Sequence, residues 1–212
     1  MAPRRCDSEL AAWFLARGFM VVMPLRRGFG RTGGAIRESS GACEAPDYVK
    51  AGRAGAEDIA AAVAFATSQP DAQPDRAVVI GESTGGWATI AYNSVPHPRV
   101  GAVISLAGGR GAWAYGQPGV NCRPDLLALA AAEFARSSVT PMLWIYAEND
   151  SWFPPPVAER IAQAYQQAGG LLNFVQVTAS SGDGHFLFEQ TGGARVWGPA
   201  VAHYLTARTG GE

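Results

Sequence analysis

At 212 residues the chain is long enough for one domain of roughly 150 residues, or one with an insertion, and for a sizeable buried core. Seventeen basic against eighteen acidic side chains leave a net charge of −1, and the hydrophobic 48% is spread along the chain, which disfavours polyanion binding and disorder. No run approaches the roughly eighteen apolar residues of a spanning helix, and residues 1–9 lead into an amphipathic segment rather than a signal-peptide core. The expectation is a soluble, cytoplasmic protein that binds neither nucleic acid nor membrane.

In chain order, Asp7 or Ser8 caps a helix through about Arg17 that Gly18 stops, and Phe19 to Leu25 is a continuous apolar run of the kind a buried parallel strand shows. Arg26 to Pro46 is a long Gly-rich loop, Asp47 to Ser68 an Ala-rich helix, Ala77 to Ile80 a strand and Gly85 to Asn93 a helix. Val100 to Leu106, Met142 to Ala147 and Leu171 to Val177 are further strands. A loop at Ala107 to Pro124 and helices at Asp125 to Arg136, Pro156 to Ala168 and Thr191 to Thr209 complete the pattern. Five strands alternating with helices predict an α/β fold, a mostly parallel sheet covered on both faces, in a single domain.

Sixteen of the seventeen basic residues are Arg, so lysine chemistry has one candidate, Lys50. It belongs to no phosphate loop, S-x-x-K pair or kinase-type strand, which removes most of the case for phosphoryl transfer and Schiff-base catalysis. Cys6, Cys43 and Cys122 are too few and too scattered for a zinc site or a C-x-x-C pair. Gly28-x-Gly30-x-x-Gly33 matches a dinucleotide fingerprint literally, but residues 35–46 carry no helical stripe for its last glycine to open.

The strand ending at Ile80 runs into Gly81-Glu82-Ser83-Thr84-Gly85, a G-x-S-x-G between strand and helix. That turn strains Ser83 and lifts its hydroxyl above the sheet edge, small residues at 81 and 85 let the backbones approach, and the Thr84 N–H points at a developing oxyanion. A serine needs a base. Of three histidines, His97 falls at the amino end of a strand, on the wrong edge, and reads as a surface loop residue. His203 falls in the last helix. His185 lies in a Gly-rich loop just past the last strand, on the active edge. Asp150, at another strand's carboxyl end, is the carboxylate to orient it, with Glu148 and Asp183 as competitors; Asp183 is given a role in shaping the loop.

On these residues, together with Arg17 to Gly30, Leu143 to Asp150 and Gly182 to His185, the chain resembles the α/β-hydrolase superfamily and its dienelactone-hydrolase-like branch. Dienelactone hydrolases proper carry a cysteine nucleophile, so Ser83 makes the chain similar to a serine esterase or peptidase. The resemblance also implies a strand upstream of the first helix, central in the sheet, whose loop gives a second oxyanion donor. No residues precede that helix to form it, so the resemblance implies an amino-terminally truncated chain whose Phe19 to Leu25 strand faces a gap. Cys43 and Cys122 both fall in loops over the carboxyl edge, either bridged or, as expected of a cytosolic protein, as separate thiols.

The expected activity is hydrolysis of a carboxylic ester or related acyl bond of a small molecule through an acyl-enzyme, with no metal or organic cofactor. Ser83 attacks, His185 moves the proton, Asp150 orients His185 and Thr84 serves the oxyanion. Trp113, Tyr115, Trp152, Phe153 and Phe186 rim an apolar substrate pocket. The alternatives are a peptidase of the same fold, and a weak or non-catalytic hydrolase-fold fragment completed by another chain's strand.

Overall fold

The computed structural model describes residues 8–179 and 182–209. Four strands, β1 (Ala77–Glu82), β2 (Val100–Leu106), β5 (Met142–Ala147) and β6 (Leu172–Val177), form a parallel sheet in the order β1-β2-β5-β6. β2 and β5 are buried almost throughout and β1 and β6 are half-buried, as their places at the centre and the edges require. A two-stranded ribbon, β3 (Trp113–Ala114) with β4 (Gln117–Pro118), stands apart in the loop after β2.

Helices cover the sheet: α1 (Glu9–Leu15), α2 (Tyr48–Thr67), α3 (Thr84–Tyr92), α4 (Pro124–Ala135), α5 (Pro155–Gln167) and α6 (Ala194–Thr209). Their starts follow from local chemistry. Ser8 Oγ accepts from the Ala11 N–H at 3.2 Å, and the Asp47 carboxylate accepts from the Lys50 N–H at 2.8 Å, each satisfying an amide that the first turn leaves free. Asp7, the other expected cap, lies outside the described residues. The Gly and Ala content of α2 lets it approach α3 closely, because a Cβ on Gly55 would sit 2.5 Å from the Ala88 Cβ. Trp13 of α1 packs on Trp197 of α6 with ring centroids 5.4 Å apart.

The fifth expected strand is not formed. Phe19 to Leu25 runs as irregular chain with Met20 and Met23 45% and 40% exposed, and the sheet ends at β1. An apolar run becomes a strand only if a neighbour takes its backbone groups, and no described residue pairs with this segment. The Gly28 to Gly33 motif closes on itself through Gly28 N–H to Gly33 C=O (3.1 Å) and one 3₁₀ turn, and no helix opens from it. No helix of the described residues is long and apolar enough to cross a membrane.

Because all four strands run the same way, Glu82, Leu106, Ala147 and Val177 end at one edge. The loops that follow converge there. Two are covalently joined: Cys43, in the long loop before α2, is disulfide-bonded to Cys122, in the loop after β2. This corrects the expectation of separate thiols. The bond is of a kind that persists in oxidising compartments.

Candidate active site

Ser83 sits between β1 and α3 with φ 53°, a left-handed conformation that costs a non-glycine residue energy and is held by its surroundings. Its N–H donates to the Leu106 carbonyl at 2.9 Å, and its carbonyl accepts from the Trp87 and Gly109 N–H groups at 3.0 and 3.1 Å. Gly81 is required: a Cβ there would lie 2.3 Å from the Gly85 oxygen. Gly85 itself has open space, and the second close approach falls one residue later, where a Cβ on Gly86 would lie 2.7 Å from the Gly108 Cα. Thr84 opens α3, so its N–H is among the amides with no intrahelical partner.

His185 lies in a 3₁₀ turn after β6, Gly184–Phe186. Its Nε2 is 3.1 Å from Ser83 Oγ and its Nδ1 is 3.1 Å from Asp150 Oδ2. Asp150 and His185 are both buried. The other Asp150 oxygen accepts the N–H groups of Trp152 and Phe153 at 2.8 and 2.9 Å. The competing acids are engaged elsewhere. Glu148 accepts from Thr178 Oγ1 at 2.6 Å, and Asp183 accepts the Ser151 and His185 backbone N–H groups at 3.0 Å each. Burial pushes the Asp183 carboxyl up, but its bonds from Ser151 and His185 together hold it below the usual aspartate value. Gly184 is needed where these loops meet, since a Cβ there would come within 2.5 Å of both Ala147 Cβ and Asn149 Oδ1.

Trp152 lies flat on the His185 ring, centroids 4.9 Å apart at 14°, and Phe186 meets the imidazole edge-on at 5.4 Å. Trp113, Trp152 and Phe153 line a cavity of about 230 Å³ whose floor is Ser83 and Thr84. Tyr115 is 76% exposed at the ribbon tip, away from that lining, and Phe186 is not part of it either. Tyr146, under the site, donates to the Gly108 carbonyl; burial first, then the Asp150 charge, raises its pKa and keeps it a donor.

The other histidines fall elsewhere. His203 is exposed on α6. His97 is buried, not a surface loop residue: its Nε2 is 2.9 Å from Asn93 Oδ1 and its ring stacks on Tyr92 at 5.2 Å. A charged cluster that sequence reasoning missed also borders the cavity. Arg110 lines it and, with Arg26, pairs with the buried Glu38, while Arg26 Nη2 donates to Thr84 Oγ1 at 3.2 Å. No local pattern in the sequence signals it, because Glu38 lies 12 residues from Arg26 and 72 from Arg110.

The dienelactone hydrolase family model matches residues 6–193. The chain belongs to the dienelactone hydrolase family. Among solved structures, a Klebsiella pneumoniae subsp. pneumoniae MGH 78578 protein assigned as a dienelactone hydrolase is similar at 17% identity and a TM-score of 0.50, over 75% of this chain and 61% of that one. The α/β hydrolase MGS-M1 from a Medee basin deep-sea metagenome is 16% identical over 72% of this chain and 63% of its own, with a TM-score of 0.49. A Mycobacterium tuberculosis puromycin-hydrolyzing peptidase is 21% identical over 63% of this chain and 23% of its own, with a TM-score of 0.45. This dienelactone hydrolase family member thus spans about three-fifths of the Klebsiella protein's length. No curated protein matches it in sequence. The family and the parallel sheet with its helices agree on a fold of the α/β-hydrolase type.

Proposed function

We propose that the chain is a serine hydrolase that cleaves a small carboxylic ester through an acyl-enzyme. The observation that carries this reading is the unbroken line from Ser83 Oγ through His185 to Asp150, two contacts of 3.1 Å each, with Ser83 alone of the three lining a cavity.

Ser83 Oγ attacks the ester carbonyl as its proton passes to His185 Nε2, and the carbonyl π pair moves onto oxygen. Asp150 Oδ2 holds Nδ1–H, which leaves Nε2 unprotonated and facing Ser83 before attack, and stabilises the imidazolium afterwards. The intermediate collapses, the C–O bond to the alcohol breaks, and the leaving oxygen takes the proton from Nε2. Water then repeats the sequence and frees the acid. The Thr84 N–H, at the start of α3, faces the oxyanion. Trp113, Trp152 and Phe153 give the cavity an apolar wall, and about 230 Å³ is below the usual 300–1,000 Å³ of drug-sized pockets, which favours a short acyl or alcohol group.

The test is burst and steady-state hydrolysis of p-nitrophenyl acetate and butyrate, and of the matching anilides, by the protein and its Ser83→Ala and His185→Ala variants. Ester turnover abolished by either substitution is expected. Turnover of anilides at rates comparable to esters would make it a peptidase, and a folded protein with no turnover would point to the non-catalytic alternative.

A further inference from the structure

Arg110 follows Gly109, whose N–H is bonded to the Ser83 carbonyl at 3.1 Å, so its backbone is fixed beside the nucleophile. Its side chain is only 10% exposed and borders the cavity that Ser83 and Thr84 floor. Two cations, Arg26 and Arg110, converge on one carboxylate oxygen of Glu38, which leaves one positive charge uncompensated in the cluster. The Arg110 Nε is buried with no hydrogen-bond partner among the described residues. Burial, opposed by Glu38 and reinforced by the like charge of Arg26, holds the guanidinium below the usual arginine value. A buried cation with a spare donor is an unfavourable arrangement that an anion entering the cavity would relieve.

The reaction generates such an anion at the floor of this cavity. The Thr84 amide is one donor toward it, and the Gly109 N–H is already spent on the Ser83 carbonyl. We infer that Arg110 is a further catalytic residue, whose guanidinium stabilises the oxyanion formed when Ser83 attacks. This rests on the serine-hydrolase reading above. Arg110 exchanges no proton: the π pair of the substrate carbonyl moves onto oxygen beside the guanidinium and returns to the carbon when the alcohol leaves. Glu38 and Arg26 are positioning residues, the first holding Arg110 and the second joining the cluster to Thr84.

The experiment compares the protein with Arg110→Met and Arg110→Lys on p-nitrophenyl acetate and on the carboxylate-bearing p-nitrophenyl hemisuccinate. Inhibition by butylboronic acid, which becomes a tetrahedral anion on a serine oxygen, is measured alongside. Arg110→Met leaves the Arg26 and Glu38 pair intact and removes the surplus charge, so folding is retained. Expected is a fall of roughly 10²-fold in kcat for the neutral acetate with KM nearly unchanged, and an equal loss of boronate affinity. Arg110→Lys, the variant that decides if the first does not fold, should fall about tenfold in both readouts, since a single-point ammonium replaces a fixed fork. Unchanged kcat and boronate affinity in the folded variants would overturn the inference. So would an effect confined to KM for the hemisuccinate, which would make Arg110 a clamp for a substrate carboxylate. If wild-type turnover survives Ser83→Ala, the serine-hydrolase reading fails and this inference falls with it; Ser83-dependent turnover that ignores Arg110 defeats only the inference.

Discussion

Asp150 meets His185 with one oxygen and the chain's own backbone with the other. Oδ2 is 3.1 Å from Nδ1, and Oδ1 accepts the N–H groups of Trp152 and Phe153. In Asp150→Asn the amide keeps one oxygen for those two N–H groups and turns its NH₂ toward Nδ1. The imidazole then carries its proton on Nε2, facing Ser83, and cannot act as a base. The expected outcome is a fall of about 10⁴-fold in kcat with little change in thermal midpoint, read by steady-state kinetics and calorimetry. A loss under tenfold would remove Asp150 from the mechanism.

What the sequence made legible was local. Ser8 and Asp47 marked helix starts because a cap is a short-range hydrogen bond, and the apolar runs of β2 and β5 marked buried strands because both faces of each are covered. The proximity of Ser83, Asp150 and His185 follows from each lying at a parallel strand's carboxyl end. What was missed depends on distant partners. Phe19 to Leu25 has the composition of a strand but no described neighbour, and composition does not report pairing. His97 follows two exposed residues in the sequence, Val95 and Pro96, yet Asn93 and Tyr92 cover it once the chain turns. Glu38 and Arg110 are 72 residues apart, and no periodicity signals that ion pair.

Cys43 and Cys122 close a loop across 79 residues and join the long segment before α2 to the loop after β2. Tyr48 reinforces the junction by donating to the Cys122 carbonyl, and its burial pushes the phenol up to about 12, so it stays a donor. Restricting the unfolded chain over such a loop stabilises the fold by about 4.5 kcal/mol in the loop-entropy model. Cys43→Ser with Cys122→Ser, or reductant on the wild type, should lower the urea midpoint correspondingly. Two alkylatable thiols at these positions in protein made under oxidising conditions would show that the bond is not formed.

Gly81 tests the turn that presents Ser83. Its missing Cβ is where the Gly85 carbonyl sits, 2.3 Å away, and Thr89 Oγ1 is 2.5 Å away. Gly81→Ala must push backbone against backbone, at a cost on the order of 2 kcal/mol, and shift Ser83 relative to His185. Gly85→Ala meets nothing within 4 Å and should leave both stability and kcat close to wild type. The opposite ranking of the two variants in urea unfolding and ester turnover would mean that the turn is built differently.

His97 supplies a pH dependence of folding. Burial holds its imidazole below the ordinary histidine value, outweighing the raising effect of a backbone hydrogen bond. The unfolded chain takes up a proton near pH 6.5 that the folded protein refuses until lower pH. Its contribution is therefore complete above about pH 6.5 and is lost as pH falls from there through the lower folded-state value. Asp183, also depressed, acts only below the ordinary aspartate range near 3.9 and leaves this window clear. Urea midpoints at pH 7.5 and 5.5 should differ more in the wild type than in His97→Gln, which keeps an N–H for Asn93 Oδ1 but cannot titrate. Equal slopes in the two proteins would mean that the Tyr92 and Asn93 packing tolerates the imidazolium.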